Sequence, residues 1–153
     1  DCGRPTRPGC LRATHDVLRV AAIDARAAAD PAIARAAVAM RDLLMESGMH
    51  RYHVSIPWTT LQWPPFDYSL PTTLQSLARL GYTLADPKLT EATDYLLSRQ
   101  LADGSWPLDQ TSSRPPFDPG PPGKPSKWVT LEVLQALKLL LGTASGVEGT
   151  TAG

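Results

Sequence analysis

The two cysteines and three histidines of the chain all lie within its first 53 residues, and these residue types bind metal ions. Thiolate and imidazole are ligands that Zn²⁺ accepts in tetrahedral geometry. The candidate ligands are Cys10, His50 and His53, which could converge if a helix after Cys10 lies beside the loop with the histidines. The spacings Cys-x7-Cys and His-x2-His match no compact zinc motif. The pattern therefore allows zinc as a cofactor, with free thiols and surface histidines as the alternative.

Two aspartates are candidates for acid catalysis. Asp67 and Asp118 each follow Pro-Pro-Phe, in the string PPFD at 64–67 and again at 115–118. A carboxylic acid held close to a reacting group can donate a proton to it. The alternative is that each carboxylate caps a turn or a helix. No nucleophile elbow, Gly-rich phosphate loop or dinucleotide fingerprint accompanies them.

The same two Pro-rich regions carry most of the aromatic residues, together with basic residues. Aromatic surfaces next to cations and helix N-termini could hold an apolar ligand with an anionic end, or a Pro-rich or aromatic peptide. The alternative for the basic residues is ordinary solubility. The candidate ligand-binding residues are Arg51, Tyr52, Trp58, Trp63, Phe66, Tyr68, Phe117, Lys127 and Trp128.

Composition excludes several classes of partner. The formal net charge is zero and no run of Lys or Arg occurs, so nothing favours binding to nucleic acid. The apolar stretches are too short for a transmembrane segment. No signal-peptide pattern is present, which favours the cytoplasm, although the chain begins with Asp1 and this points to a cut or processed end.

Apolar residues recur at helical spacing almost throughout, and no segment reads as a strand. Asp30-Pro31 and Asp86-Pro87 pair an N-capping side chain with a proline suited to the first helical turn. Gly48 and Gly81 are expected to end helices. The predicted helices span 11–28, 31–47, 70–80, 86–101 and 128–141, followed by a flexible tail at 143–153.

The helices form a repeat. THDVLRVA at 14–21, TLQSLARL at 73–80 and TLEVLQAL at 130–137 share a threonine followed by similarly spaced apolar residues. Each unit is a helical hairpin, which cannot bury its apolar faces alone. Neighbouring units are therefore expected to stack.

The end of the fourth predicted helix carries a further motif. In YLLSRQLADGSW, at 95–106, the residues Tyr95, Gln100, Gly104 and Trp106 have the spacing aromatic-Leu-x3-Gln-x3-Gly-x-Trp. We expect Gln100 to offer its amide to unpaired N–H groups at the start of the next helix. Gly104 would permit the chain reversal, and Trp106 would cover the amide. These four residues are predicted to be structural.

This spacing resembles the QW motif of the terpenoid cyclase and protein prenyltransferase superfamily, although the upstream basic-Gly pair of that motif is missing. The resemblance implies an all-α fold, an α/α toroid built from helical hairpins, with residues 1–142 forming part of an incomplete ring. The helices at 11–28, 70–80 and 128–141 would be inner helices, and those at 31–47 and 86–101 outer ones. Other repeats of the same chain or further subunits would complete the ring.

The resemblance also implies a function. Both long loops would lie at one rim, beside a site for a hydrophobic, isoprenoid-like ligand. The D-x-D-D string of protonating cyclases is absent, and so is the Asp-x-Cys spacing of the prenyltransferase zinc site. Catalysis is therefore left open. The alternative is a non-catalytic repeat scaffold that binds protein or peptide through its aromatic, Pro-rich loops.

Overall fold

The computed structural model describes residues 10–46, 57–65, 68–111 and 118–144, and these are all-α, as the sequence predicts. The only extended pairings within these ranges are isolated bridges, Gln62 with Gln110 and Pro107 with Pro125. None of the described helices is both long and apolar enough to cross a membrane. The helices are α1 (Leu11–Ala21), α2 (Ala25–Ala28), α3 (Pro31–Asp42), α4 (Leu70–Arg79), α5 (Pro87–Ser98) and α6 (Lys127–Ala144).

Helices α3 and α5 begin where the local sequence supplies a cap. Asp30 accepts a hydrogen bond from the Ala32 N–H at 2.7 Å, and Asp86 accepts one from the Lys88 N–H at 2.9 Å. In both cases the proline that follows occupies the first turn, where its missing N–H removes no helical hydrogen bond. The predicted starts at these two sites are therefore confirmed.

The helix ends differ from the prediction. The first predicted helix is broken, because Asp24 takes an extended conformation and accepts a hydrogen bond from the Arg26 N–H at 2.8 Å, which starts α2. Helix α3 ends at Asp42, and Met45 has a positive φ of 64°. Helix α6 runs to Ala144, two residues into the predicted tail.

The three helices that carry the repeat pack in one row. Helix α4 contacts both α1 and α6, while α3 contacts α1 and α5. Residues Leu70 to Ala78 of α4 are all buried, so this helix lies at the centre of the packing. The shared core includes Met40, Leu74, Leu77, Leu89, Leu96, Trp106 and Val133.

The two long loops touch each other. The Leu61 N–H donates to Asp109 Oδ2 at 2.8 Å, and the Asp109 N–H donates to the Leu61 carbonyl at 2.7 Å. Arg99, which follows α5, donates to the other oxygen of Asp109 at 2.7 Å. These bonds bring the segment before α4 and the segment before α6 to the same side of the molecule.

Trp106 joins the end of α5 to the start of α6. Its ring is 1% exposed, and Nε1 donates to the carbonyl of Leu96 at 2.6 Å, in the last turn of α5. Its backbone N–H donates to Thr130 Oγ1 at 2.9 Å, and its carbonyl accepts from the Ser126 N–H at 2.9 Å. The tryptophan therefore satisfies polar groups at two helix ends while it fills the core between them.

Gln100 does not make the contact expected from the sequence. It is exposed, and its Nε2 donates to the carbonyl of Gly104 at 3.0 Å. Gly104 has a φ of 83°, so the tight turn brings its own carbonyl back within reach of the amide. Gln100 therefore closes its own loop, and Trp106 does not cover its amide.

Substitution of Trp106 tests this junction. We expect Trp106→Ala to lower the free energy of unfolding by about 3–5 kcal/mol, because a large buried ring is lost. Trp106→Phe should cost about 1–2 kcal/mol, since mainly the Leu96 hydrogen bond is removed. Urea denaturation measures both values. Leu97→Ala, at an exposed position of α5, is the control, and an equal loss in that variant would contradict the proposed role.

Candidate functional site

The aromatic candidates of the loops pack largely against each other. Trp58 and Tyr68 are buried in the core, with ring centroids 4.7 Å apart and planes tilted by 54°. They are therefore core residues and do not line an open ligand site. Trp63 and Trp128 are half-buried and stack at 4.8 Å, and Lys127 Nζ lies 5.1 Å from the Trp128 ring. The candidates Arg51, Tyr52, Phe66 and Phe117 lie outside the described residues.

The acid and metal candidates are not assembled into a site among the described residues. Asp118 is exposed, and its Oδ1 accepts from the Gly120 N–H at 2.9 Å, which is the geometry of a turn cap. Cys10 is a half-buried free thiol just before α1. Asp67, His50 and His53 lie outside the described residues. In the ranges the structure describes, no three His, Cys, Asp or Glu side chains are grouped to hold a metal ion.

A cleft of about 390 Å³ lies between α1 and α4, and none of its residues was among the sequence candidates. The residues that line this cleft are therefore different from those of the aromatic loops. Its lining mixes charged, polar and aliphatic side chains, contributed equally by the two helices. The lining residues are Asp16, Arg19, Val20 and Ile23 of α1 and its C-terminal turn, and Thr72, Gln75, Ser76 and Arg79 of α4.

A buried histidine connects the two helices beneath this cleft. His15 is 1% exposed, and its Nε2 lies 2.8 Å from Thr72 Oγ1, which is in turn 2.7 Å from Ser69 Oγ. Burial lowers the pKa of His15 to about 4, and the charge of Arg19 lowers it further, while Asp16 opposes the shift. The imidazole is therefore uncharged at neutral pH and acts as a hydrogen-bonding bridge.

Glu132 brings α6 to the same junction. Its backbone carbonyl accepts from Gln75 Nε2 at 2.9 Å, and its side chain is half-buried. Burial raises the pKa of its carboxyl group to about 7, against the opposing charge of Arg19. A carboxyl group that titrates near neutral pH can gain or lose a proton under physiological conditions.

The arginines of the cleft differ from other arginines of the fold. Arg41 donates to Asp86 at 2.9 Å and Arg99 to Asp109 at 2.7 Å. Within the described part of the chain, Arg19 and Arg79 make no hydrogen bond or ion pair, and both are exposed. Their guanidinium donors are thus available to a ligand. The arrangement can hold an amphipathic molecule, because the exposed Val20 and Ile23 line the same cleft.

The sequence did contain a signal for this region. The third position of the repeated octapeptide is polar in every copy, as Asp16, Gln75 and Glu132, although the positions around it are largely apolar. A polar residue that recurs at one register of a packed helix indicates a shared polar seam. The candidate residues predicted from the sequence lie mainly in the aromatic loops and do not include this position.

No family model, curated protein or solved structure matches this chain. No relative therefore indicates a function for it.

Glu132→Gln tests the electrostatics of the junction. The folded pKa of about 7 is above the ordinary value of 4.5, so the protonated carboxyl contributes stability that is full below pH 4.5 and lost as the pH rises through 7. Glutamine stays uncharged. We therefore expect the variant to be more stable than the parent by about 2 kcal/mol at pH 8 and equally stable at pH 4.5.

Thermal or urea denaturation at the two pH values measures the difference. His15 acts in the opposite direction, since its lowered pKa gives stability that is present above pH 6.5 and lost as the pH falls through about 4. Comparison with the parent at each pH cancels this contribution. Glu91→Gln, on the exposed side of α5, is the matched control. A gain at pH 8 as large in the control as in Glu132→Gln would contradict the assignment.

Proposed function

We propose that this chain is a segment of an α/α toroid whose cleft between α1 and α4 binds a small amphipathic ligand with a hydrophobic, isoprenoid-like part. The observation that carries the proposal is the cleft itself, which opens along the seam between two repeat helices. Its volume of about 390 Å³ lies within the range of about 300–1,000 Å³ typical of small-molecule sites.

The packing order supports the toroid. Helices α1, α4 and α6 carry the three copies of the repeat and contact one another in sequence, while their partners α3 and α5 also contact each other. Gln75 and Glu132, which meet across α4 and α6, hold the same position in their copies. In stacked hairpins, the first helix of one hairpin packs against the first helix of the next, and the second helix packs against the second. The contacts between these helices follow that order.

The lining of the cleft favours binding over a cyclisation reaction. Among the described residues, no aromatic ring lines the cleft, and its apolar part consists of the aliphatic Val20 and Ile23. Carbocation intermediates would call for aromatic faces nearby. Aliphatic side chains instead suit an unreactive hydrocarbon chain, and the polar residues suit its head group.

A second candidate function is a repeat scaffold that binds another helical unit or protein. Leu131, Leu134 and Leu141 of α6 are each about half exposed, at spacings of three and seven residues along one helix. Such a stripe is typical of a helix with a missing neighbour. The aromatic loops give this function less support, because Trp58 and Tyr68 are buried.

Filling the cleft tests the ligand-binding proposal. Val20 lines the cleft and is 66% exposed, so Val20→Trp should cover the opening without disturbing the core. We expect the parent to bind the ten-carbon alcohol geraniol and Val20→Trp to weaken its affinity by about tenfold or more. Isothermal titration calorimetry measures both affinities.

Val38→Trp provides the matched control, because Val38 is 43% exposed on α3 and does not line the cleft. It should bind geraniol as the parent does. Failure of the parent to bind, or an equal loss in both variants, would count against the cleft as the site.

The scaffold candidate predicts a different behaviour. If the exposed stripe of α6 covers a second helical unit, Leu134→Glu should shift the protein toward a smaller species in light scattering coupled to gel filtration. A polar substitution at the exposed Leu97 of α5 serves as its control. A parent that is monomeric at all concentrations would remove self-association from consideration.

A further inference from the structure

We propose that Arg19 and Arg79 together form an anion site in the cleft, which takes the phosphate group of a phosphate monoester. The apolar part of such a ligand rests on the proposed function above, whereas the anion site stands on the two arginines. Both side chains line the same concavity from opposite helices. The chemistry recognised is a tetrahedral oxyanion, either free or attached to a short hydrocarbon.

Arg19 and Arg79 have N–H donors that the described residues leave without an acceptor. A guanidinium group carries five N–H donors in a planar fork that matches phosphate oxygens in pairs. In the described part of the chain, neither arginine gives any of these donors to a protein acceptor. Arg41 and Arg99, in contrast, are each held by a carboxylate. The two cleft arginines are therefore free to turn toward a ligand.

The position of Arg19 and Arg79 near helix C-termini does not by itself explain why their N–H donors have no acceptor among the described residues. Arg19 and Arg79 each lie in the last turn of a helix, where a cation interacts favourably with the helix dipole. This interaction acts at a distance and leaves the N–H donors unsatisfied.

The acidic groups nearby reduce the positive charge without occupying the arginines. Asp16 lines the cleft, and its Oδ1 lies 3.4 Å from Nδ1 of the uncharged His15 imidazole. The charge of Arg19 lowers the pKa of Glu132 in α6, yet the two side chains form no ion pair within the described residues. Neither carboxylate therefore occupies the guanidinium donors that a phosphate group would use.

Three probes separate the contributions of the charge and the hydrocarbon. Geranyl phosphate, geraniol and inorganic phosphate are titrated by calorimetry into the intact chain at one ionic strength and pH. We expect the parent to bind geranyl phosphate at least about tenfold more tightly than geraniol. Arg19→Gln and Arg79→Gln should each remove most of that ratio, which compares the two ligands within the same variant.

Arg35→Gln is the control, because Arg35 is an exposed arginine on α3 outside the cleft. It should keep the ratio of the parent. A ratio near one in the parent, or an equal loss in Arg35→Gln, overturns the anion site, and neither result depends on how the cleft variants fold.

The outcomes also distinguish this inference from the proposed function. If geraniol binds and is blocked by Val20→Trp, but the phosphate adds no affinity, the anion site is wrong and the ligand cleft stands. If inorganic phosphate binds in a manner that needs Arg19 and Arg79 while geraniol does not bind, the anion site stands with a free phosphate as its ligand. In that case the proposed hydrophobic ligand is wrong.

Discussion

The structure depends on the burial of α4 from Leu70 to Ala78. Every residue in this part of the helix is buried, although several of them have polar side chains. A buried polar group without a partner costs free energy, so its neighbours must supply hydrogen bonds. His15 of α1 supplies one to Thr72, and the carbonyl of Glu132 in α6 accepts one from Gln75. These bonds fix how three helices lie beside one another.

A second set of contacts closes one end of this packing. The indole of Trp106 fills the space between α5 and α6 and donates to a carbonyl at the end of α5. Asp109 links the two long loops and is itself held by Arg99. Trp106 and Asp109 thus add hydrogen bonds to backbone atoms at a helix end and in a loop. The loops thereby act as part of the scaffold, and the open concavity is left along the helices.

The charge distribution in and around the cleft arises because neighbouring side chains differ in burial. Burial keeps His15 uncharged and holds the pKa of Glu132 near 7, whereas Arg19 and Arg79 are exposed and charged. The uncharged His15, the two arginines and the aliphatic Val20 and Ile23 give this region separate polar and apolar parts. These parts support the proposed binding of an amphipathic molecule.

The sequence by itself determined the helical class and the helix starts, because capping by Asp30 and Asp86 uses atoms only two residues apart. It also placed Gly104 in a turn. It did not determine that Trp58 and Tyr68 are buried, nor that Gln100 bonds within its own loop, since both depend on which segments pack together. The cleft was decided by tertiary structure alone, because the helices that form its walls are distant in sequence. The hydrogen bond between His15 and Thr72 joins them across 57 residues, and only packing brings them into contact.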